Sequence, residues 1–106
     1  MSLALLAEQR PPVVRALYRL RNEIFKPGAL SIREKELIAV AISCLIKCEA
    51  CLEFHADKAK EAGATREQLR EAMEVVLYMG GPSTMIWSPT IDKIIDPNTG
   101  EGRSED

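Results

Sequence analysis

The 106-residue sequence holds a single histidine, and its aromatic residues make up only 5% of the chain. Its core therefore has to be assembled from Leu, Ile, Val, Ala and Met, and any imidazole chemistry has to pass through His55. Neither sign of charge dominates: 14 Lys and Arg stand against 16 Asp and Glu, a net charge of −2, so there is no basic field to hold a nucleic acid. Apolar runs stay well short of the roughly eighteen residues that mark a membrane helix, and no basic segment precedes the early LALLA stretch. The expectation is a cytoplasmic protein with neither signal peptide nor membrane span. Period-two alternation is also missing, which leaves an all-α fold. Cysteine is scarce and concentrated, all three residues lying between positions 44 and 51. A secreted disulfide framework would instead spread an even number along the chain.

A chain of this length forms one domain with a modest core, expected over residues 1–95. The remaining segment, 96–106, has no apolar side chain to pack and is expected to be a mobile tail. Five to six helices are expected. A short helix or arm precedes Pro11-Pro12. The next helix restarts at the prolines with Val14, Leu17, Leu20 and Ile24 inward, and stops at Lys26-Pro27-Gly28. Ser31-Ile-Arg-Glu34 and Thr65-Arg-Glu-Gln68 each match a capping box, in which two side chains satisfy open amides at a helix start. The helix after Thr65 should turn Leu69, Ala72, Met73, Val76 and Met79 inward. Pro82 suits the first turn of a last helix carrying Met85, Ile86, Ile91, Ile94 and Ile95, with Pro89 kinking or splitting it.

The helix after Ser31 is unusual: from Leu37 to Ile46 only Ser43 is polar. A helix that is apolar all round has to be covered on every side. Because so small a chain has few helices to do this, a second copy is expected to supply part of the cover, making a homo-oligomer.

The stretch from Glu36 to His55, ELIAVAISCLIKCEACLEFH, gathers every cysteine and the histidine. Lys47 begins a break, and Cys48 opens a helix that ends at the glycine Gly63. In that helix Cys48, Cys51, Leu52, His55, Ala59 and Ala62 recur at three- and four-residue steps, so both thiols and the imidazole share its apolar face. Cys-x-x-Cys at a helix start brings two sulfurs within reach of a disulfide, and the open amides there favour a thiolate. That describes a redox pair better than a structural one. The helix dipole favours Cys48 as the more acidic thiol, whereas the imidazole one turn away favours Cys51; directed proton transfer to His55 decides for Cys51. Taken singly, His55 reads as a satisfied core residue and Glu36 as a first-turn carboxylate favoured by the dipole or paired with Arg33. Cys44, among aliphatics, reads as structural. Trp87 reads equally as an interface anchor or a packing residue.

The string Glu36, Cys48-x-x-Cys51-x-x-x-His55, Ala59 and Gly63, together with the apolar run and the threonine-capped helix, resembles the alkylhydroperoxidase D-like proteins of the carboxymuconolactone decarboxylase superfamily over about Ser31 to Gly80. The resemblance implies an all-helical trimer or hexamer. It implies a peroxidatic role for Cys51, a resolving role for Cys48 and a proton relay through His55 to Glu36, with a hydroperoxide as substrate. No bound cofactor is implied. The pair would be restored by an external thiol, such as a lipoyl group on a carrier protein. Some family members carry a histidine before the second cysteine, where this chain has Glu49-Ala50, and the carboxylate is expected to raise the thiol pKa. Other readings use the same residues. The Cys44, Cys48, Cys51 spacing of an iron–sulfur site belongs to a far larger barrel enzyme. A Cys₃His zinc site would join Cys44, Cys48, Cys51 and His55. A decarboxylase-like enzyme or a scaffold without peroxidase activity completes the alternatives.

Overall fold

The structure, a computed structural model, describes residues 2–98. It contains six α-helices and no strand among the described residues, as the missing alternation predicts. Residues 99–106, most of the expected tail, lie outside the described residues. Two compact units are present, one ending at Ser31 and the other beginning at Ile32.

The first unit pairs α1 (Ser2–Gln9) with α2 (Pro11–Ile24). Pro11 and Pro12 occupy the first positions of α2, where their missing amides would have had no helical partner anyway. Val14 is buried, but Leu17, Leu20 and Ile24, expected to face inward, are about half exposed. Two helices alone have no third layer to cover such a stripe.

The second unit is built from α3 (Ile32–Leu45), α4 (Glu49–Glu61), α5 (Arg66–Gly80), a 3₁₀ turn (Pro82–Met85) and α6 (Pro89–Ile95). Helix α3 packs against α4 and α5, and α6 packs against those same two helices. The buried core joins Val40 and Cys44 of α3, Leu52, Ala56 and Ala59 of α4, Leu69, Met73 and Val76 of α5, and Ile91 and Ile94 of α6. Trp87 and Met85 pack against its margin.

The boundaries follow from local chemistry. Helix α5 begins with a full capping box: Gln68 N–H donates to Thr65 Oγ1 at 3.1 Å and Thr65 N–H donates to Gln68 Oε1 at 3.0 Å. Helix α4 ends in a Schellman motif, with Gly63 at φ +95°, Gly63 N–H bonded to Lys60 O and Ala64 N–H to Ala59 O. Pro89 splits the last helical stretch in two, as the sequence allows.

Met79, expected inside, is 70% exposed. The residue of that turn set against α3 and the 3₁₀ turn is Gly80, itself still exposed to solvent. A Cβ there would stand 2.5 Å from Thr84 Cγ2 and 2.6 Å from Leu45 Cδ1, so the absence of a side chain lets α5 approach both α3 and the 3₁₀ turn. Ile86 is likewise exposed, because the 3₁₀ turn ends before it and breaks the helical phase.

On α3 the all-round apolar character takes a definite form. Val40 and Cys44 are completely buried, Ser43 satisfies its hydroxyl by donating to Ala39 O at 2.6 Å, and Ile38, Ile42 and Leu45 remain exposed, as does Ile46 just past the helix end.

Candidate functional site

The site is made where α3 ends and α4 starts. The last carbonyls of α3 are closed by a second Schellman motif: Lys47 N–H reaches Cys44 O at 3.2 Å and Cys48 N–H reaches Ser43 O at 3.0 Å. The left-handed residue in it is Lys47, at φ +60°, a position more commonly given to glycine. This turn delivers Cys48 in an extended conformation as the N-cap of α4, where its sulfur accepts the Cys51 amide at 3.3 Å. A cysteine thus takes the place usually held by Ser, Thr, Asp or Asn. Cys48 and Cys51 are joined as a disulfide with a Cα–Cα separation of 5.3 Å.

One turn beyond Cys51 on α4 is His55, so their side chains are neighbours on the helix surface, with Cβ atoms about 5–6 Å apart. The imidazole Nδ1 meets Glu36 Oε1 of α3 at 2.7 Å. The Glu36 side chain is 4% exposed and that of His55 18%. An ionised carboxylate only accepts, so Nδ1 carries the proton and Nε2 is the nitrogen that can exchange one with a substrate or a thiol. The half-exposed Phe54 ring and the imidazole stand nearly perpendicular, with ring centroids 5.1 Å apart at 82°.

All four candidate residues therefore belong to the α3–α4 pair, with direct bonds between Cys48 and Cys51 and between His55 and Glu36. Cys44 does not join them. It is fully buried in the core, its thiol donates to Thr84 O at 3.3 Å, and burial pushes its pKa up against the opposing effect of the Trp87 indole. Among the described residues no three His, Cys, Asp or Glu side chains gather as a metal would need. The Cys₃His zinc alternative therefore does not fit: one sulfur is committed to the core and two to each other.

Two site-adjacent residues went unrecognised in the sequence. Ser88 and Thr90, at the start of α6, both donate to the Glu49 carboxylate, Thr90 Oγ1 to Oε2 at 2.6 Å and Ser88 Oγ to Oε1. Ser88 is also the N-cap of α6, its Oγ accepting Thr90 N–H at 3.0 Å. The two hydroxyls, with the charge of Lys93, hold the Glu49 carboxyl below its ordinary range against a smaller opposing effect of desolvation. Ser88 before Pro89 is a recognisable helix-start signal. Lys47, by contrast, carries no sequence mark of a left-handed conformation.

The sequence pattern of the carboxymuconolactone decarboxylase family matches residues 11–87, and the chain belongs to that family. It is 42% identical over 64 residues to the protein named "uncharacterized protein 4 in cox locus" of Paracoccus denitrificans, a match covering 60% of this chain and 58% of that one. A carboxymuconolactone decarboxylase family protein from Legionella pneumophila, solved as a crystal structure, superposes with a TM-score of 0.79 at 29% identity, over 91% of this chain and 86% of the other. A family protein from Thermotoga maritima with a suggested involvement in an antioxidative response superposes with a TM-score of 0.70 at 23% identity, over 78% and 86%. That last likeness is one of fold.

Proposed function

We propose that the protein is a thiol-dependent hydroperoxide reductase in which Cys51 attacks the peroxide, Cys48 resolves the product, and His55 with Glu36 moves the proton. The observation that carries this reading is the Glu36–His55 contact at 2.7 Å, which fixes the imidazole tautomer one helical turn from a cysteine already paired with a second.

In the reduced protein, His55 Nε2 accepts the Cys51 thiol proton, leaving a thiolate beside an imidazolium whose charge Glu36 offsets. The thiolate sulfur attacks the outer oxygen of R–O–O–H. The O–O bond breaks, the sulfur becomes a sulfenic acid, and the departing alkoxide takes the proton from His55 to leave as R–OH. The Cys48 sulfur then attacks the sulfenic sulfur, forming the disulfide and releasing water. Two electrons from an external dithiol, such as a lipoyl group presented by a carrier protein, restore both thiols. No metal or cofactor takes part in this cycle.

The working form is proposed to be a homo-oligomer, a trimer or hexamer, in which the exposed Ile38, Ile42 and Leu45 of α3 and the adjoining Ile46 are covered by another copy. Among the described residues no helix is long and apolar enough to cross a membrane, and the cytoplasm is the compartment proposed.

The test is consumption of an alkyl hydroperoxide with dihydrolipoamide as donor. Turnover that disappears in Cys51→Ser and in Cys48→Ser supports the assignment. Absence of turnover with any dithiol, while the protein remains folded, leaves a family scaffold and overturns it.

A further inference from the structure

Helix α4 carries its chemistry on two different sides. Cys51 and His55 lie on the stripe that meets Glu36 of α3. Glu49, Glu53, Ala56 and Lys60 lie on another, and the last three of these line a surface depression with Thr90, Lys93 and Ile94 of α6. Glu49 thus stands between the two cysteines in sequence but on the α6 side of the helix in space. The hydroxyls that hold it there, those of Ser88 and Thr90, belong to buried residues, and the Ser88 hydroxyl also accepts the Thr90 amide.

We propose that Ser88 and Thr90 are positioning residues for the thiol chemistry: they keep the Glu49 carboxylate against α6 and so keep its negative charge off the sulfurs of Cys48 and Cys51. This inference rests on the reading of Cys48 and Cys51 as a redox pair. Glu49 is the residue directly after Cys48, and a carboxylate released from α6 can swing towards that sulfur. A negative charge near a thiol disfavours the thiolate, which is both the nucleophile and the form that stabilises the reduced state. At the separations available within one helical turn near a protein surface, the effect is a change of about three- to tenfold in thiolate population at neutral pH. The depressed carboxyl pKa of Glu49 agrees with a charge that is well satisfied where it stands. The other charged groups around the pair are Glu36 with His55 on the α3 side, Lys47 immediately before Cys48, Glu53 on α4 and Lys93 on α6; all are unaltered in the variants below.

The experiment follows iodoacetamide alkylation of each thiol in the reduced protein against pH by mass spectrometry, and measures the disulfide equilibrium against dithiothreitol. Ser88→Ala with Thr90→Val is expected to slow alkylation about three- to tenfold at neutral pH, move the alkylation midpoint upward and make the pair more reducing. Glu49→Gln, which keeps the shape and removes the charge, is expected to alkylate at least as fast as the parent. The decisive variant combines all three substitutions. Recovery to the Glu49→Gln rate supports the proposal, because loosened packing alone would not be repaired by deleting a charge. A triple variant as slow as the double one, or a double variant with an unchanged profile, overturns it. Should the double variant not fold, Thr90→Val with and without Glu49→Gln is compared in the same way. If the parent pair does not oxidise and re-reduce reversibly, it is the redox reading that fails; the alkylation profiles still decide what Ser88 and Thr90 do to the sulfurs.

Discussion

Glu36 and His55 are nineteen residues apart in the chain, yet Glu36 Oε1 lies 2.7 Å from His55 Nδ1. The contact bridges α3 and α4 and turns a carboxylate that is almost completely buried into the orienting group of the only imidazole. Cys51 precedes the histidine by one turn of α4.

Replacing His55 by Ala is expected to lower kcat/KM for hydroperoxide by about 10²–10⁴-fold, the usual worth of a positioned general base. Glu36→Gln keeps a hydrogen-bonding side chain but cannot offset an imidazolium, and a smaller loss of at least about tenfold is expected. Steady-state assays with both variants, checked for folding by circular dichroism, measure the difference. Equal rates in Glu36→Gln and the parent would remove Glu36 from the relay.

Gly80→Ala should destabilise the fold although alanine is the better helix former. The added methyl meets Leu45 and Thr84 at distances that require something to shift, costing about 1–3 kcal/mol, from which roughly 1 is recovered by helix propensity. The net loss of about 1 kcal/mol corresponds to a fall of about 4–8 °C in Tm, read by a thermal melt.

The Glu49 carboxyl has its pKa depressed below 4.5 in the folded chain by the hydroxyls of Ser88 and Thr90 and the charge of Lys93. A depressed acid stabilises the fold at pH values above its unfolded pKa, and the contribution disappears as pH falls through the lower folded value. The Tm of the parent should therefore exceed that of Glu49→Gln at neutral pH, and the gap should narrow below about pH 4.5. A gap constant down to strongly acid pH would contradict this.

Ile42→Glu places a charge in the middle of the exposed apolar stripe of α3, where Ile42 is 52% exposed. Light scattering is expected to show an assembly of several chains for the parent and a shift towards single chains for the variant, since a buried unpaired charge outweighs most interface contacts. A parent that is monomeric at micromolar concentration would rule out the oligomer.

The all-α class was readable because nothing in the chain alternates at period two, and the helix limits at Thr65, Gly63 and Pro89 were readable because caps, left-handed glycines and prolines act through a few neighbouring atoms. The grouping of Cys48, Cys51 and His55 was readable for the same reason: helical spacing alone puts them on one face.

Long-range approach decided the rest. At the last turn of α5 it is Gly80 that comes close to Leu45 and the 3₁₀ turn, while Met79, expected in the core, stands 70% exposed. Cys44 looked like a possible fourth ligand until the fold turned its sulfur to Thr84. Glu49 looked like a charge set against the thiols, and only the arrival of α6, some forty residues later in the chain, supplied the hydroxyls that draw it away. Caps and helical faces are settled within a turn or two of chain. Where a carboxylate or a sulfur finds its partner is settled by which distant segment packs beside it, and a local pattern of residues does not record that.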